Sequence, residues 1–211
     1  MNKSQVNYSL YLVTDGGDKN IDTFCETVDQ AIGGGVTLVQ LREKTATSRD
    51  FYELALRVKA ITDRHNVPLI INDRLDIALA VDADGLHIGQ EDLPVAVARR
   101  LLGPDKILGA TAATVKDAVA AQAAGADYLG SGAVYPTSTK PGKTLLPLTT
   151  LSQIKQAVHI PVVAIGGISA DNVAPVRQSG VDGVAVVSAI MDSPDPATAA
   201  RVIKNLWKGK L

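Results

Sequence analysis

The sequence has little cysteine, few aromatic residues and almost no net charge. Its 211 residues include one cysteine, Cys25, which excludes an internal disulfide and a cysteine-rich metal site and predicts a reducing, cytoplasmic compartment. Lysine and arginine number 21 against 22 acidic residues, a formal net charge of −1, and no segment concentrates positive charge. We therefore expect neither a nucleic acid nor a membrane surface as a partner.

Long apolar runs are also absent. No stretch reaches the roughly 18 uninterrupted apolar residues of a membrane span, and Met1 to Leu10 lack the apolar core of a signal peptide. Hydrophobic residues nevertheless make up 46% of the chain, which is enough for a sizeable core. The composition predicts a soluble globular protein that is not exported.

Short β-branched runs alternate with longer segments of helical periodicity, as expected of repeated βα units. The predicted strands are Ser9 to Thr14, Thr37 to Arg42, Pro68 to Asn72, Gly85 to Ile88, Ile107 to Ala110, Tyr128 to Gly130, Val162 to Ile165 and Gly183 to Val187. Eight units predict an α/β fold, a single (β/α)₈ TIM barrel domain over residues 1–211. An open doubly wound sheet is the alternative, but Asp15-Gly16-Gly17-Asp18 does not fit its glycine fingerprint.

A recurring tetrapeptide precedes three of the predicted strands. A small residue and Gly are followed by Ala or Val and then by Asp or Thr, in Gly34 to Thr37, Ala124 to Asp127 and Ser179 to Asp182. Glycine at the end of a helix readily adopts the left-handed conformation that turns the chain into the next element. Each tetrapeptide therefore predicts a helix C-cap that leads into a strand.

The second predicted strand ends in alternating polar residues. Gln40, Arg42 and Lys44 share one face by the two-residue period of a strand, whereas Glu43 lies on the other face. If the shared face lines the barrel, two cations stand near its mouth with no obvious acidic partner except Glu43. An anionic ligand would satisfy them. A solvated strand end with a surface ion pair is the alternative.

Two carboxylates follow the third and fourth predicted strands. Asp73 comes directly after Asn72, and Asp92 follows the strand that contains His87. Because the two strands are neighbours, both carboxylates could converge on a hard cation that also binds ligand phosphates. The alternatives are helix N-caps for both aspartates. His87 is either a packed, hydrogen-bonded residue or one that faces the ligand.

Polar loops after the last three predicted strands indicate phosphate binding. The longest irregular stretch, Pro136 to Leu146, follows the sixth strand and has the hydroxyls, lysines and glycine of an anion-binding lid, although a merely polar loop would look similar. Gly166-Gly167 follow the seventh strand and Ser188 follows the eighth, where backbone N–H groups can meet a phosphate.

Taken together, these motifs resemble those of the thiamine-phosphate synthase family over nearly the whole chain. The resemblance is carried by Gln40 to Lys44, Ile71 to Asp73, Ala83 to Asp92, Tyr135 to Lys140 and Ala164 to Ile168. It implies a transferase of thiamine biosynthesis that joins 4-amino-2-methyl-5-(diphosphooxymethyl)pyrimidine, here the pyrimidine diphosphate, to a thiazole phosphate. Diphosphate is released with the help of Mg²⁺.

The resemblance also implies a role for individual residues. The pyrimidine diphosphate would be contacted by Gln40, Leu41, Arg42, Glu43, Lys44, Asn72, Thr111 and Lys140. Mg²⁺ would be held by Asp73 and Asp92. The thiazole phosphate would be bound by Thr137, Ser138, Thr139, Gly167, Val187 and Ser188.

The chain departs from the family pattern at two positions. Ala113 stands where many members have a histidine after the fifth strand, and Ala133 stands where a proline is commoner. A thiazole tautomerase of the same fold is an alternative, but it would need that histidine for proton transfer. A non-catalytic phosphate-binding barrel is a second alternative, and it would leave the face of Gln40, Arg42 and Lys44 without a purpose.

Overall fold

The computed structural model describes residues 3–15, 19–137, 139 and 144–210, and its eight strands form a closed barrel. Every strand is parallel to the next, and the first pairs with the eighth. The strands are β1 Leu10–Val13, β2 Leu38–Leu41, β3 Leu69–Asn72, β4 Gly85–Ile88, β5 Ile107–Thr111, β6 Tyr128–Gly132, β7 Val162–Ile165 and β8 Gly183–Val186. The predicted TIM barrel is confirmed, and the doubly wound alternative is wrong.

Helices connect the strands and surround the barrel. They are α1 Ile21–Gly33, α2 Ser48–Arg64, α3 Leu75–Ala80, α4 Val95–Leu102, α5 Val115–Ala123, α6 Leu148–Ala157, α7 Val173–Arg177, α8 Ser188–Met191 and α9 Pro196–Trp207, after a short 3-10 helix at Lys3–Gln5. Sequence periodicity missed α8 because four residues complete only about one turn. In the part of the chain that the structure describes, no helix has the length and apolar character to cross a membrane.

The strands separate two apolar cores. Side chains such as Leu12, Val39 and Ile71 point outward and pack against the helices in one large cluster. The alternate side chains point into the barrel, where Tyr11 and Tyr128 join a smaller cluster. This alternation follows from the two-residue period of a strand, and it assigns every second strand residue to the barrel interior.

The recurring tetrapeptide closes the amino-terminal end of the barrel. Gly35, Gly125 and Gly180 have φ values of 113°, 97° and 81°, which confirms the predicted left-handed turns.

The residue directly before each even-numbered strand accepts a hydrogen bond from a backbone N–H of the preceding strand. The four pairs are Leu10 with Thr37, Leu69 with Asp84, Leu108 with Asp127 and Val162 with Asp182, at 3.2, 2.9, 2.8 and 2.7 Å.

These pairs predict that Asp182→Ala destabilises the protein. The substitution removes the acceptor of the buried Val162 N–H and the partner of Lys155, whose Nζ lies 2.8 Å from Asp182. We expect a loss of about 1–3 kcal/mol in the free energy of unfolding, measured with urea. Asp105→Ala removes an exposed carboxylate from the same end of the barrel and should leave stability within about 0.5 kcal/mol. Equal losses in the two variants would contradict the assignment.

Candidate active site

The carboxyl end of β2 places an amide and a guanidinium at the mouth of the barrel. Gln40 is 4% exposed, and its Nε2 donates to Tyr11 Oη at 2.8 Å. Arg42 follows the strand, and its Nη1 lies 3.6 Å from Asp15 Oδ2. The expectation that only Glu43 could serve as an acidic partner is therefore wrong, because the segment after β1 supplies Asp15. The Nε of Arg42 is buried and has no hydrogen-bond partner among the described residues.

Leu41 and Glu43 face away from this mouth. The Leu41 side chain is fully buried in the outer core, so any contact it makes with a ligand comes from its main chain. The Glu43 carboxylate accepts hydrogen bonds from the backbone N–H groups of Lys44, Thr45 and Ala46 at 2.7, 2.8 and 3.2 Å. Burial raises the pKa of Glu43, but these hydrogen bonds outweigh it and the pKa is lowered overall. Glu43 therefore holds the loop that carries Lys44.

Asp73 and Asp92 meet beside Lys44. The Lys44 ammonium forms an ion pair with Asp73, which corrects the expectation that this cation lacks an acidic partner. Asp92 accepts a hydrogen bond from Gly89 N–H at 2.7 Å. Burial raises the pKa of Asp92, and contact with the Asp73 carboxylate raises it further. Two like charges are thus held together at the ends of β3 and β4.

Neither aspartate caps a helix. The position before α3 is Arg74 and the position before α4 is Pro94, and neither makes a side-chain capping bond. The N-cap alternative is therefore wrong for both residues. No group of three or more metal-ligating side chains occurs within the described ranges. A pair of carboxylates nonetheless fits Mg²⁺, which usually binds one or two carboxylates together with waters and substrate phosphates.

Asn72 and Thr111 complete the wall between β3 and β5. Asn72 is 4% exposed, and its Nδ2 is buried without a hydrogen-bond partner in the described part of the chain. Thr111 ends β5, and its main-chain oxygen accepts a hydrogen bond from the Gln90 side chain. Its Oγ1 lies 3.1 Å from His87 Nε2. The free donor of Asn72 and the free Nε of Arg42 are groups that a polar ligand can satisfy.

The described members of the predicted phosphate-binding set lie in the loops after β6 and β7 and directly after β8. Gly166 and Gly167 have positive φ, and a Cβ at Gly167 would lie 2.4 Å from Pro136 O. The two glycines therefore allow close approach of the loops after β6 and β7. Ser188 opens α8, whose first N–H groups have no acceptor within the helix. Thr139 N–H donates to Thr137 Oγ1 at 3.3 Å. Ser138 and Lys140 lie outside the described residues.

Two tyrosines in the barrel were missed by sequence analysis. Tyr11 Oη and Tyr128 Oη are 2.7 Å apart, and Tyr128 Oη lies 2.9 Å from His87 Nδ1. His87 is 8% exposed, so the interpretation as a packed, hydrogen-bonded residue is correct, while its contact with Thr111 brings it next to the mouth. The two-residue period of a strand could have identified this contact from the sequence, because it puts Tyr11 and Gln40 on inward faces.

Comparisons with known proteins agree on one family. A family model described as thiamine monophosphate synthase matches residues 10–190. Thiamine-phosphate synthase of Ruminiclostridium cellulolyticum is 54% identical over 208 residues, 99% of each chain. The enzyme of that name from Methanobrevibacter smithii is 50% identical over 98% of this chain and 99% of its own. The solved thiamine phosphate pyrophosphorylase from Pyrococcus furiosus superposes with a TM-score of 0.88 at 39% identity, covering 98% of both chains.

The loop capped by Glu43 yields a pH-dependent prediction. Because the pKa of Glu43 is lowered on folding, its carboxylate adds stability that is fully present above the ordinary value of 4.5 and is lost as pH falls through the lower folded value. After allowance for partial exposure, Glu43→Gln should cost about 1 kcal/mol at neutral pH, measured by urea unfolding.

The cost of Glu43→Gln should disappear in acid, where the wild-type carboxyl is protonated as well. Glu53→Gln, at an exposed position of α2, serves as the control and should behave like wild type at both pH values. A Glu43→Gln cost that is the same in acid and at neutral pH would contradict the charged capping role.

Proposed function

The chain belongs to the thiamine monophosphate synthase family, and we propose that it joins the pyrimidine diphosphate to a thiazole phosphate with Mg²⁺ held by Asp73 and Asp92. It is a transferase that forms thiamine phosphate in thiamine biosynthesis. We place the reaction in the cytoplasm, in keeping with the single buried Cys25. The substrates are small molecules, and no nucleic acid or membrane takes part.

The observation that carries the proposal is the grouping of opposite charges at the barrel mouth. Lys44 pairs with Asp73, whose carboxylate contacts Asp92, and Arg42 pairs with Asp15. Arg42 Nε and Asn72 Nδ2 are buried without partners among the described residues. A diphosphate needs cations and N–H donors, and its magnesium ion needs carboxylates. The mouth supplies both kinds of group within one set of neighbouring loops.

Asp73 and Asp92 would hold Mg²⁺ with their carboxylate oxygens. When bound, the ion would neutralise negative charge on the diphosphate as it leaves. Asp92 is kept in place by the Gly89 N–H, and Asp73 by the hydrogen bond from its own N–H to His87 O at 2.8 Å. The first contact orients the Asp92 carboxylate, and the second fixes the main chain that carries Asp73.

The side chains of β2, β3 and β5 would bind the pyrimidine diphosphate. Gln40 and Thr111 contact the ring, Asn72 donates through its free Nδ2, and Arg42 and Lys44 pair with the diphosphate. Lys140 adds a third cation in this proposal. As the carbon–oxygen bond breaks, charge concentrates on the diphosphate, so these cations stabilise the transition state more than the bound substrate. The aminopyrimidine ring delocalises the positive charge left on its methylene, so the reaction needs no protein nucleophile.

The opposite side of the mouth would hold the thiazole phosphate. The N–H groups of Gly167, Val187 and Ser188 and the hydroxyls of Thr137, Ser138 and Thr139 would bind its phosphate, as helix starts and glycine turns commonly do. A phosphate anchored there directs the thiazole nitrogen towards the pyrimidine methylene. Holding two reactants in line in this way removes much of the entropic cost of their encounter.

The alternatives are less well supported. Ala113 lies exposed in the loop after β5 and offers no group for the proton transfer that a thiazole tautomerase requires. A non-catalytic phosphate-binding barrel would use the ends of β7 and β8 only. It would leave the buried donors of Arg42 and Asn72, and the paired aspartates, without a ligand.

A single assay tests the proposed reaction. The purified protein is mixed with the pyrimidine diphosphate, the thiazole phosphate and Mg²⁺, and thiamine phosphate is measured by mass spectrometry. We expect product that disappears when EDTA removes the metal. Product that persists with EDTA would contradict the metal assignment. Binding of the thiazole phosphate without any product would instead favour the tautomerase or the non-catalytic barrel.

Substitution of one aspartate tests the metal ligands. Asp92→Ala should abolish Mg²⁺-dependent turnover while leaving the fold intact, since Asp92 is largely exposed and lies in a loop. We expect a fall in kcat of at least about a hundredfold, as is usual when a group acting on transition-state charge is removed. Glu91→Ala changes the neighbouring exposed carboxylate and should keep near-normal kcat. Near-normal activity of Asp92→Ala would remove Asp92 from the site.

A further inference from the structure

A chain of hydrogen bonds crosses the barrel interior between two residues assigned to the pyrimidine. Gln40 Nε2 donates to Tyr11 Oη at 2.8 Å, and Tyr11 Oη lies 2.7 Å from Tyr128 Oη. His87 continues the chain, with Nδ1 at 2.9 Å from Tyr128 Oη and Nε2 at 3.1 Å from Thr111 Oγ1. Gln40 and Thr111, on β2 and β5, are therefore connected through the buried centre of the molecule.

With the Gln40 amide nitrogen facing Tyr11, one direction of hydrogen bonding pairs every proton in this chain. An amide nitrogen can only donate, so Tyr11 Oη accepts from Gln40 and must pass its own proton to Tyr128 Oη. Tyr128 then donates to His87 Nδ1. Neutral imidazole with an accepting Nδ1 carries its proton on Nε2, which donates to Thr111 Oγ1. The hydroxyl proton of Thr111 remains available to a ligand.

The direction of the hydrogen bonds can change only if all of them reverse together. Tyr11 and Tyr128 are 2% and 0% exposed, so a phenol proton without an acceptor has no water to replace it. Reversing one bond alone would leave such a buried proton unpaired, at a cost of about 1–3 kcal/mol. The amide orientation of Gln40 and the tautomer of His87 are consequently locked to each other.

We propose that Tyr11, Tyr128 and His87 are positioning residues that make the site select a 4-aminopyrimidine over a 4-oxopyrimidine. The inference rests on the proposed function, which assigns Gln40 to the pyrimidine ring. Because the Gln40 nitrogen is turned towards Tyr11, we infer that its carbonyl oxygen is the group that meets the ligand. An exocyclic amino group donates to that oxygen, whereas an oxo group would set two acceptors against each other. A site built to accept a hydrogen bond discriminates strongly against a ligand that cannot donate it.

Kinetic discrimination in a Tyr128→Phe variant tests the proposal. Values of kcat/KM are measured for the pyrimidine diphosphate and for its 4-oxo analogue, at saturating thiazole phosphate. Loss of the phenol interrupts the chain, so the preference for the amino substrate should fall by at least about tenfold. The KM for thiazole phosphate should stay unchanged. A merely structural defect would reduce activity on both pyrimidines together, and an unchanged preference would overturn the proposal.

Tyr8→Phe is the matched control. The Tyr8 ring packs on Tyr128, with 5.0 Å between ring centroids, but its hydroxyl is not one of the groups in the chain. Like Tyr128→Phe, this variant removes one tyrosine hydroxyl from the aromatic cluster, and it should keep the wild-type preference for the amino substrate. Equal losses in Tyr8→Phe and Tyr128→Phe would point to packing as the cause and would overturn the positioning role.

The tautomer of His87 gives a second test that needs no variant. Nitrogen-15 NMR of the wild-type protein should show a proton on Nε2 of His87 and none on Nδ1. A proton on Nδ1 would mean that the chain runs in the opposite direction, and the proposal would be wrong. Absence of thiamine phosphate from the wild-type assay would refute the proposed function itself. Normal product formation with unaltered discrimination in Tyr128→Phe would refute only this inference.

Discussion

Hydrogen bonding between β1 and β8 closes the sheet, and the position of every group in the candidate site depends on that closure. Eight parallel strands that meet edge to edge must all end on the same rim. Residues as distant in sequence as Arg42, Asp92 and Ser188 therefore share one mouth, although each follows a different strand. At the opposite rim, the hydrogen bonds accepted by Thr37, Asp84, Asp127 and Asp182 tie the strands together in pairs.

Closure also forces polar side chains into a space that water does not reach. Tyr128 is fully buried, and burial raises its pKa, so the phenol stays protonated and can donate. Room for its ring comes from Gly109, where an added Cβ would lie 2.2 Å from the Tyr128 ring. A buried polar network stabilises a protein only when all its members are paired. The atoms from Gln40 Nε2 to Thr111 Oγ1 meet that condition, so the side chains at the bottom of the site hold one another in place.

The sequence predicted the barrel because eight short apolar runs alternate with helical segments, and this pattern depends only on local periodicity. It predicted the nearness of Asp73 and Asp92 because adjacent parallel strands end side by side, and their contact is confirmed. It could not supply the partners of the cations. Asp15 meets Arg42 across two strands, and Lys44 reaches Asp73 from a loop, so both pairs depend on tertiary geometry. The link between His87 and Tyr128 was missed for the same reason: 41 residues separate them along the chain.

The ion pairs at the mouth explain how Arg42 and Lys44 are accommodated without a bound anion. Two cations left unpaired near a low-dielectric barrel would repel each other and destabilise the fold, and Asp15 and Asp73 relieve that repulsion. A diphosphate that binds to Arg42 and Lys44 must compete with these carboxylates. If Asp73 passes to a magnesium ion at the same time, its charge remains neutralised while Lys44 becomes free for the phosphate. Metal and diphosphate would then each favour the binding of the other. The metal would pair with Asp73 and the diphosphate with Lys44, so neither charge would be left unpaired.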